Sequence, residues 1–227
     1  YFQTSFILDD TGNIILRYRR LNSMFAPTPH DVWDKYLEIY GYESLFPVAK
    51  TPIGNLACIA SEEILYPEVA RCLLMRGAEV FQHSSSEKGS PQLTRKNIAK
   101  AARAIENMAY VVSANSGGIR DIAIPVNSTD GNSKIINYKG LTLAEANMGE
   151  SMVANATIDL AALRANRKRV AMSNYIARQR FEFYAPSYAN HHFYPVNSIS
   201  DNPDFVKKDF VKNQLKTIER LGRDSII

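Results

Sequence analysis

The chain has 227 residues, 45% of them hydrophobic and 22% charged, which is the composition of an ordinary globular protein, with room for one large domain or two small ones. A formal charge of +4 gives no ground for a nucleic-acid partner; the longest basic cluster, Arg164, Arg167, Lys168 and Arg169, reads as a solvated helix face or an oligomer contact. Two cysteines are too few for a disulfide framework, so a reducing, cytoplasmic setting is expected, and no apolar run nears the roughly 20 residues of a membrane span.

Read in order, Phe6-Ile7-Leu8, the polar Asp9–Asn13 and Ile14-Ile15-Leu16 form strand, tight turn, strand. No helix-start or leader pattern precedes them, so the chain reads as opening in mid-domain. Leu21 to Tyr42 reads as a long loop with a helical stretch over about 31–40, and long ordered loops tend to be functional. Pro47-Val48 and Ile53 to Ala60 are two further strands, the second almost wholly apolar. A helix is expected from Pro67 to Arg76, with Pro in its first turn and Gly77 at its end, then a strand over 78–82. Ser90-Pro91 would open the next helix, whose buried stripe is expected at Ile98, Ala102, Ile105 and Ala109. Tyr110 to Ala114 is a buried strand; weaker strands are expected at Ile135-Ile136 and from Met152 to Ile158, then a basic helix over 160–169 and an aromatic tail from Phe181. Short strands alternating with helices place the chain in the α/β class.

Chemistry concentrates after Gly54-Asn55-Leu56-Ala57-Cys58-Ile59-Ala60. A buried strand ends there in Ser61-Glu62-Glu63, a few residues before the helix that begins at Pro67. Such a turn exposes its side chain at the C-terminal edge of a sheet, beside backbone N–H groups that can hold an oxyanion. The same residues also fit an ordinary turn before a helix. His83 ends a later strand and suggests a Ser61–His83 dyad, because histidine is the usual activator of serine. His191-His192 lack a third ligand at metal spacing, so no metal is expected.

Four stretches together resemble the nitrilase superfamily of carbon–nitrogen hydrolases. The apolar strand ending at Ser61, followed by Tyr66-Pro67-Glu68, Arg71 and Gly77-Ala78-Glu79-Val80, is similar to its nucleophile signature. Tyr18-Arg19-Arg20 stands where the family has Tyr-Arg-Lys. Arg103-Ala104-Ile105-Glu106-Asn107 with Tyr110-Val111-Val112-Ser113-Ala114-Asn115 resembles its helix-to-strand signature, and Gly131-Asn132-Ser133-Lys134-Ile135 with Gly140 its late glycine stretch.

The resemblance implies a four-layer α-β-β-α sandwich, of which residues 1–185 are the C-terminal portion. It leaves 186–227 as an extension, read as a subunit contact in a homodimer or larger homo-oligomer. It implies a Glu-Lys-Cys triad without a cofactor, acting on a small non-peptide amide or nitrile; Tyr66-Pro67-Glu68 fits the amidase and carbamoylase branches better than the true nitrilases. On that alignment Ser61 replaces the nucleophilic cysteine, Arg20 replaces the lysine, and the general-base glutamate lies ahead of Tyr1. The backbone N–H of Glu62 becomes the oxyanion donor, and Asp31 or His30 falls where the family has a second glutamate near the substrate. His83, at its strand end, and Asn115 are further candidates for the substrate side of the sheet edge. Cys58 falls inside the strand and is a core thiol. A serine hydroxyl is a far weaker nucleophile than a thiol, and arginine keeps the charge of lysine but cannot release a proton. A catalytically silent homologue, or an engineered one, that binds a small ligand or a protein partner is the other expectation.

Overall fold

The computed structural model describes residues 1–88, 94–123, 125–148, 151–202 and 204–227, and these divide into two compact units. The larger holds Ser5–Tyr18 and Phe46–Arg178. It opens with a hairpin, β1 (Thr4–Leu8) and β2 (Ile14–Arg19), whose outer ends belong to the smaller unit. Asp9 closes its turn: the carboxylate accepts the Thr11 hydroxyl and the backbone N–H groups of Asn13 and Thr11, which holds its pKa down at about 2.

A six-stranded sheet follows, in sequential order from β3 to β8. The edge strand β3 (Ala49–Thr51) runs antiparallel to β4 (Gly54–Ala60). Next, β4, β5 (Val80–Ser85) and β6 (Tyr110–Asn115) are mutually parallel. Parallel neighbours need crossovers, supplied here by α2 (Pro67–Met75) and α3 (Arg95–Asn107), which pack on each other. The sheet then turns antiparallel through β7 (Lys134–Ile136) and β8 (Thr142–Glu145). One face of the sheet carries a transverse row of Ala57, Phe81, Val111 and Ile136, all buried, and below it Ile59, His83, Ser113 and Lys134.

Gly77, at φ +90°, ends α2 in the conformation that favours glycine. After β8 the chain reaches α4 (Leu160–Lys168), capped by the Asp159 carboxylate. Two arginines fasten α4 to the sheet. Arg164 pairs bidentately with Glu79 at 2.6 and 2.9 Å, and Arg167 donates to the carbonyls of Ala78, Asn107 and Met108.

The smaller unit holds Tyr1–Thr4, Arg19–Leu45 and Gln179–Ile227. Its helices are α1 (Trp33–Tyr40), the short α5 (Ala185–Ala189) and α6 (Lys207–Arg223). The Arg19 guanidinium lies 3.9 Å from the Tyr40 ring centre, and Arg220 of α6 donates to the carbonyls of His192 and Phe193.

The mixed α/β class follows from the sequence, with several corrections. Ser90 and Pro91, expected to open a helix, lie outside the described residues. The helix itself begins at Arg95, with Thr94 accepting the Asn97 N–H. Of the expected stripe, Ile98 and Ile105 are exposed, at 55% and 37%, and Ala102 is half-buried; Ala109 is buried, but lies beyond the end of the helix. The buried face carries Asn97, Lys100, Arg103, Ala104 and Asn107, which share the same helical spacing. Lys100 can be inside because it meets the Glu87 carboxylate at 2.8 Å. Met152–Ile158 belongs to no sheet ladder; the edge is taken by β8, which was not expected. Nor was the long helix α6.

Candidate active-site turn

Ser61 follows the last residue of β4 and opens a 3-10 turn over Ser61–Leu65, directly ahead of α2. Its φ is +51°, a left-handed conformation that costs a non-glycine residue roughly 1–2 kcal/mol. Such a residue persists only where its surroundings hold it. Three side chains from three elements do so.

Glu63, fully buried, accepts the Ala60 N–H at 3.1 Å and the Tyr18 hydroxyl at 2.7 Å, tying the turn to β2. Arg103 of α3 donates through Nε to the Ile64 carbonyl at 3.0 Å and pairs with Glu106. His83 of β5 lies 2.8 Å, through Nε2, from the Ser61 carbonyl oxygen and 2.9 Å, through Nδ1, from the Ser113 hydroxyl. A carbonyl only accepts, so Nε2 carries the proton and Nδ1 accepts from Ser113. Burial drives the His83 pKa down to about 4, against the hydrogen bond to Ser61, so the ring is neutral at physiological pH.

This geometry corrects the expected dyad. Both His83 nitrogens are occupied, and the one nearer Ser61 bonds its carbonyl rather than its hydroxyl. With the ring 1% exposed, His83 is not placed to touch substrate. Asn115 ends β6 at the same sheet edge, but its amide bonds the Glu87 N–H and the carbonyls of Glu87 and Gly131, so it clamps two loops. Asp31, in the smaller unit, is 2% exposed; its carboxylate accepts from Thr28 N–H, the Thr28 hydroxyl and the Ser198 hydroxyl. It caps a turn. Arg20, also in the smaller unit, donates to the Asn22 carbonyl and the Gln3 side chain, each at 2.8 Å.

Glu62 is half-buried in the first turn after Ser61, where the leading N–H groups of a helix lack intrahelical acceptors. Cys58 is buried within β4, and burial pushes its thiol up to about 11, so it is no candidate nucleophile. Among the described residues, no group of three His, Cys, Asp or Glu side chains is placed to hold a metal. Sequence reasoning missed Glu63 and Ser113 as supports of the turn. Tyr18 and Arg103 stood inside recognisable motifs, but their partners are brought together only by the fold.

The comparisons with known proteins agree with this architecture. The carbon-nitrogen hydrolase family model matches residues 1–168. The 2-oxoglutaramate amidase of Bacillus subtilis (strain 168) is 31% identical over 159 residues, covering 70% of this chain and 56% of that protein. The formamidase of Bacillus thuringiensis (strain Al Hakam) is 26% identical, covering 69% and 43%. This chain therefore spans about half the length of the curated relatives it matches. Among solved structures, a carbon-nitrogen hydrolase from Helicobacter pylori G27 superposes with a TM-score of 0.62 at 21% identity, over 82% of this chain and 65% of that one, a likeness of fold. With the family model covering most of its length and the fold in agreement, the chain belongs to the carbon-nitrogen hydrolase family.

Proposed function

We propose that this chain carries the nucleophile of an enzyme that hydrolyses the carbon–nitrogen bond of a small non-peptide amide, with Ser61 as the acylated residue. The observation that carries the reading is Ser61 itself, held left-handed at the C-terminal edge of the parallel strands, where such sheets place their ligands. The names of the two Bacillus relatives favour an amide over a nitrile.

In this reading the Ser61 Oγ bonds to the amide carbon. The oxyanion takes the Glu62 N–H, and the serine proton goes to the departing amine as the C–N bond breaks. Water then bonds to the acyl carbon, the ester bond to Ser61 Oγ breaks, the carboxylic acid leaves, and a proton from the water restores the hydroxyl. The base that moves these protons is the glutamate the family resemblance places ahead of Tyr1. No cofactor takes part. We further place the protein in a reducing compartment, as a homo-oligomer in which residues 186–227 make subunit contacts. Among the described residues no helix is long and apolar enough to cross a membrane.

One observation favours a second reading, a silent homologue that keeps the pocket. Ser61 and Arg20 stand where the family resemblance implies a cysteine and a lysine, and a serine hydroxyl is the far weaker nucleophile. Ammonia release from a panel of amides and nitriles separates the two, comparing the whole unmodified polypeptide with its Ser61→Cys/Arg20→Lys variant. Turnover by the unmodified protein, with an acyl mass increment on the Ser61 peptide, establishes the hydrolase. Turnover only in the double variant establishes the silent homologue. No turnover in either overturns the hydrolase reading.

A further inference from the structure

The Ser61 turn needs a device that fixes its backbone, and the buried face of the sheet supplies one. In the transverse row below the apolar layer, Ile59, His83, Ser113 and Lys134 stand side by side on β4, β5, β6 and β7. All four are buried, so the polar members must satisfy one another or their neighbours. Lys134 reaches Glu145 at 3.3 Å. His83 and Ser113 meet each other, and His83 then has one N–H left, directed at the Ser61 carbonyl.

We infer that His83 is a positioning residue for the nucleophile: held as the Nε2–H tautomer by the Ser113 hydroxyl, it fixes the Ser61 carbonyl and so the direction in which the Ser61 side chain leaves the turn. This deepens the reading of Ser61 as nucleophile and rests on it. The carbonyl of residue 61 and its Cβ share one Cα, so a change of ψ at Ser61 re-aims the leading N–H of Glu62 as well. One hydrogen bond therefore sets both the attacking atom and the proposed oxyanion donor. Histidine suits the task because a neutral imidazole offers one donor and one acceptor at opposite ends of a rigid ring. A phenylalanine fills similar space and offers neither. A glutamine offers an N–H for the carbonyl and an oxygen for Ser113.

The test needs no turnover. Ser61→Cys places a thiol at the turn, and its alkylation by iodoacetamide, followed by peptide mass mapping across pH, reports that atom's exposure and surroundings. In this background His83→Gln keeps the alkylation rate within about threefold of the parent, while His83→Phe, still folded by near-ultraviolet circular dichroism, changes it by about tenfold or more and moves the midpoint of its pH profile. A folded His83→Phe protein with the parental rate and midpoint overturns the proposal. So does a His83→Gln rate as far displaced as that of His83→Phe, since a shape effect alone would give it. Should His83→Phe fail to fold, Ser113→Ala decides: it removes the tautomer lock and leaves the ring, so a displaced rate supports the proposal and a parental rate overturns it. Where amide turnover is present, His83→Phe lowers kcat with little change in KM. Absent turnover with the expected alkylation pattern condemns the hydrolase reading and leaves the positioning device standing.

Discussion

Ser61 sits in a conformation that glycine adopts without cost and serine does not. Ser61→Gly should therefore leave the protein equally stable, or more stable by about 1 kcal/mol, while abolishing any acyl adduct. Urea denaturation and intact mass, run on the same preparation, check both halves. The buried Glu63 behaves in the opposite way. Glu63→Gln removes the charge that accepts from Tyr18 and Ala60, and a cost of about 1–3 kcal/mol is expected from the same denaturation measurement. At this scale the sequence was partly legible. An apolar strand, a polar triplet and a Pro-led helix announce the turn, because each follows from local chemistry. That His83 serves the carbonyl and not the hydroxyl leaves no trace in residue order, since it depends on strand register.

The element whose reading inverted is α3. Two stripes share its helical spacing: an apolar one through Ile98 and Ile105, and a polar one through Asn97, Lys100, Arg103 and Asn107. Periodicity alone selects the apolar stripe. The fold buries the other, because Glu87 awaits Lys100 and the Ile64 carbonyl awaits Arg103, neither of which lies on the helix. Lys100→Ala, which strips a buried partner from Glu87, should cost about 3 kcal/mol, whereas Ile98→Ala at an exposed position should stay within about 0.5 kcal/mol. Denaturant midpoints of the two variants at equal protein concentration rank them, and the reverse order would restore the apolar stripe. Met152–Ile158 has strand composition but no ladder partner, whereas α6 carries Phe210, Val211, Leu215, Ile218 and Leu221 at helical spacing, a signal that was legible in the sequence and was passed over.

For the whole molecule, acid should act in two stages. Burial lowers the His83 pKa from 6.5 to about 4, among Lys96 and Lys100 of α3 and the Glu87 carboxylate. The unfolded chain thus binds the proton first, and this contribution to stability, full above pH 6.5, is lost as pH falls toward 4. Glu79, its pKa lowered chiefly by the hydrogen bond from Arg164, holds its contribution above its ordinary 4.5 and loses it as pH falls through the depressed folded value. Urea midpoints between pH 8 and 3 should show both stages, and His83→Gln should remove the upper one.

The clasp between Glu79 and Arg164 also bears on the order in which the chain assembles. Ladder partners such as Leu56 and Val80, or Val80 and Tyr110, lie close in sequence, whereas the clasp closes over 85 residues. Distant closures are entropically slow, so β4, β5 and β6 can pair before α4 arrives. Until it does, the Glu79 carboxylate and the Ala78, Asn107 and Met108 carbonyls stay open to water. An Arg167→Ala protein should accordingly refold at nearly the parental rate and unfold faster, giving a chevron displaced almost entirely in its unfolding limb. In the cell, that makes the docking of one nine-residue helix the step that decides how long the finished sheet survives.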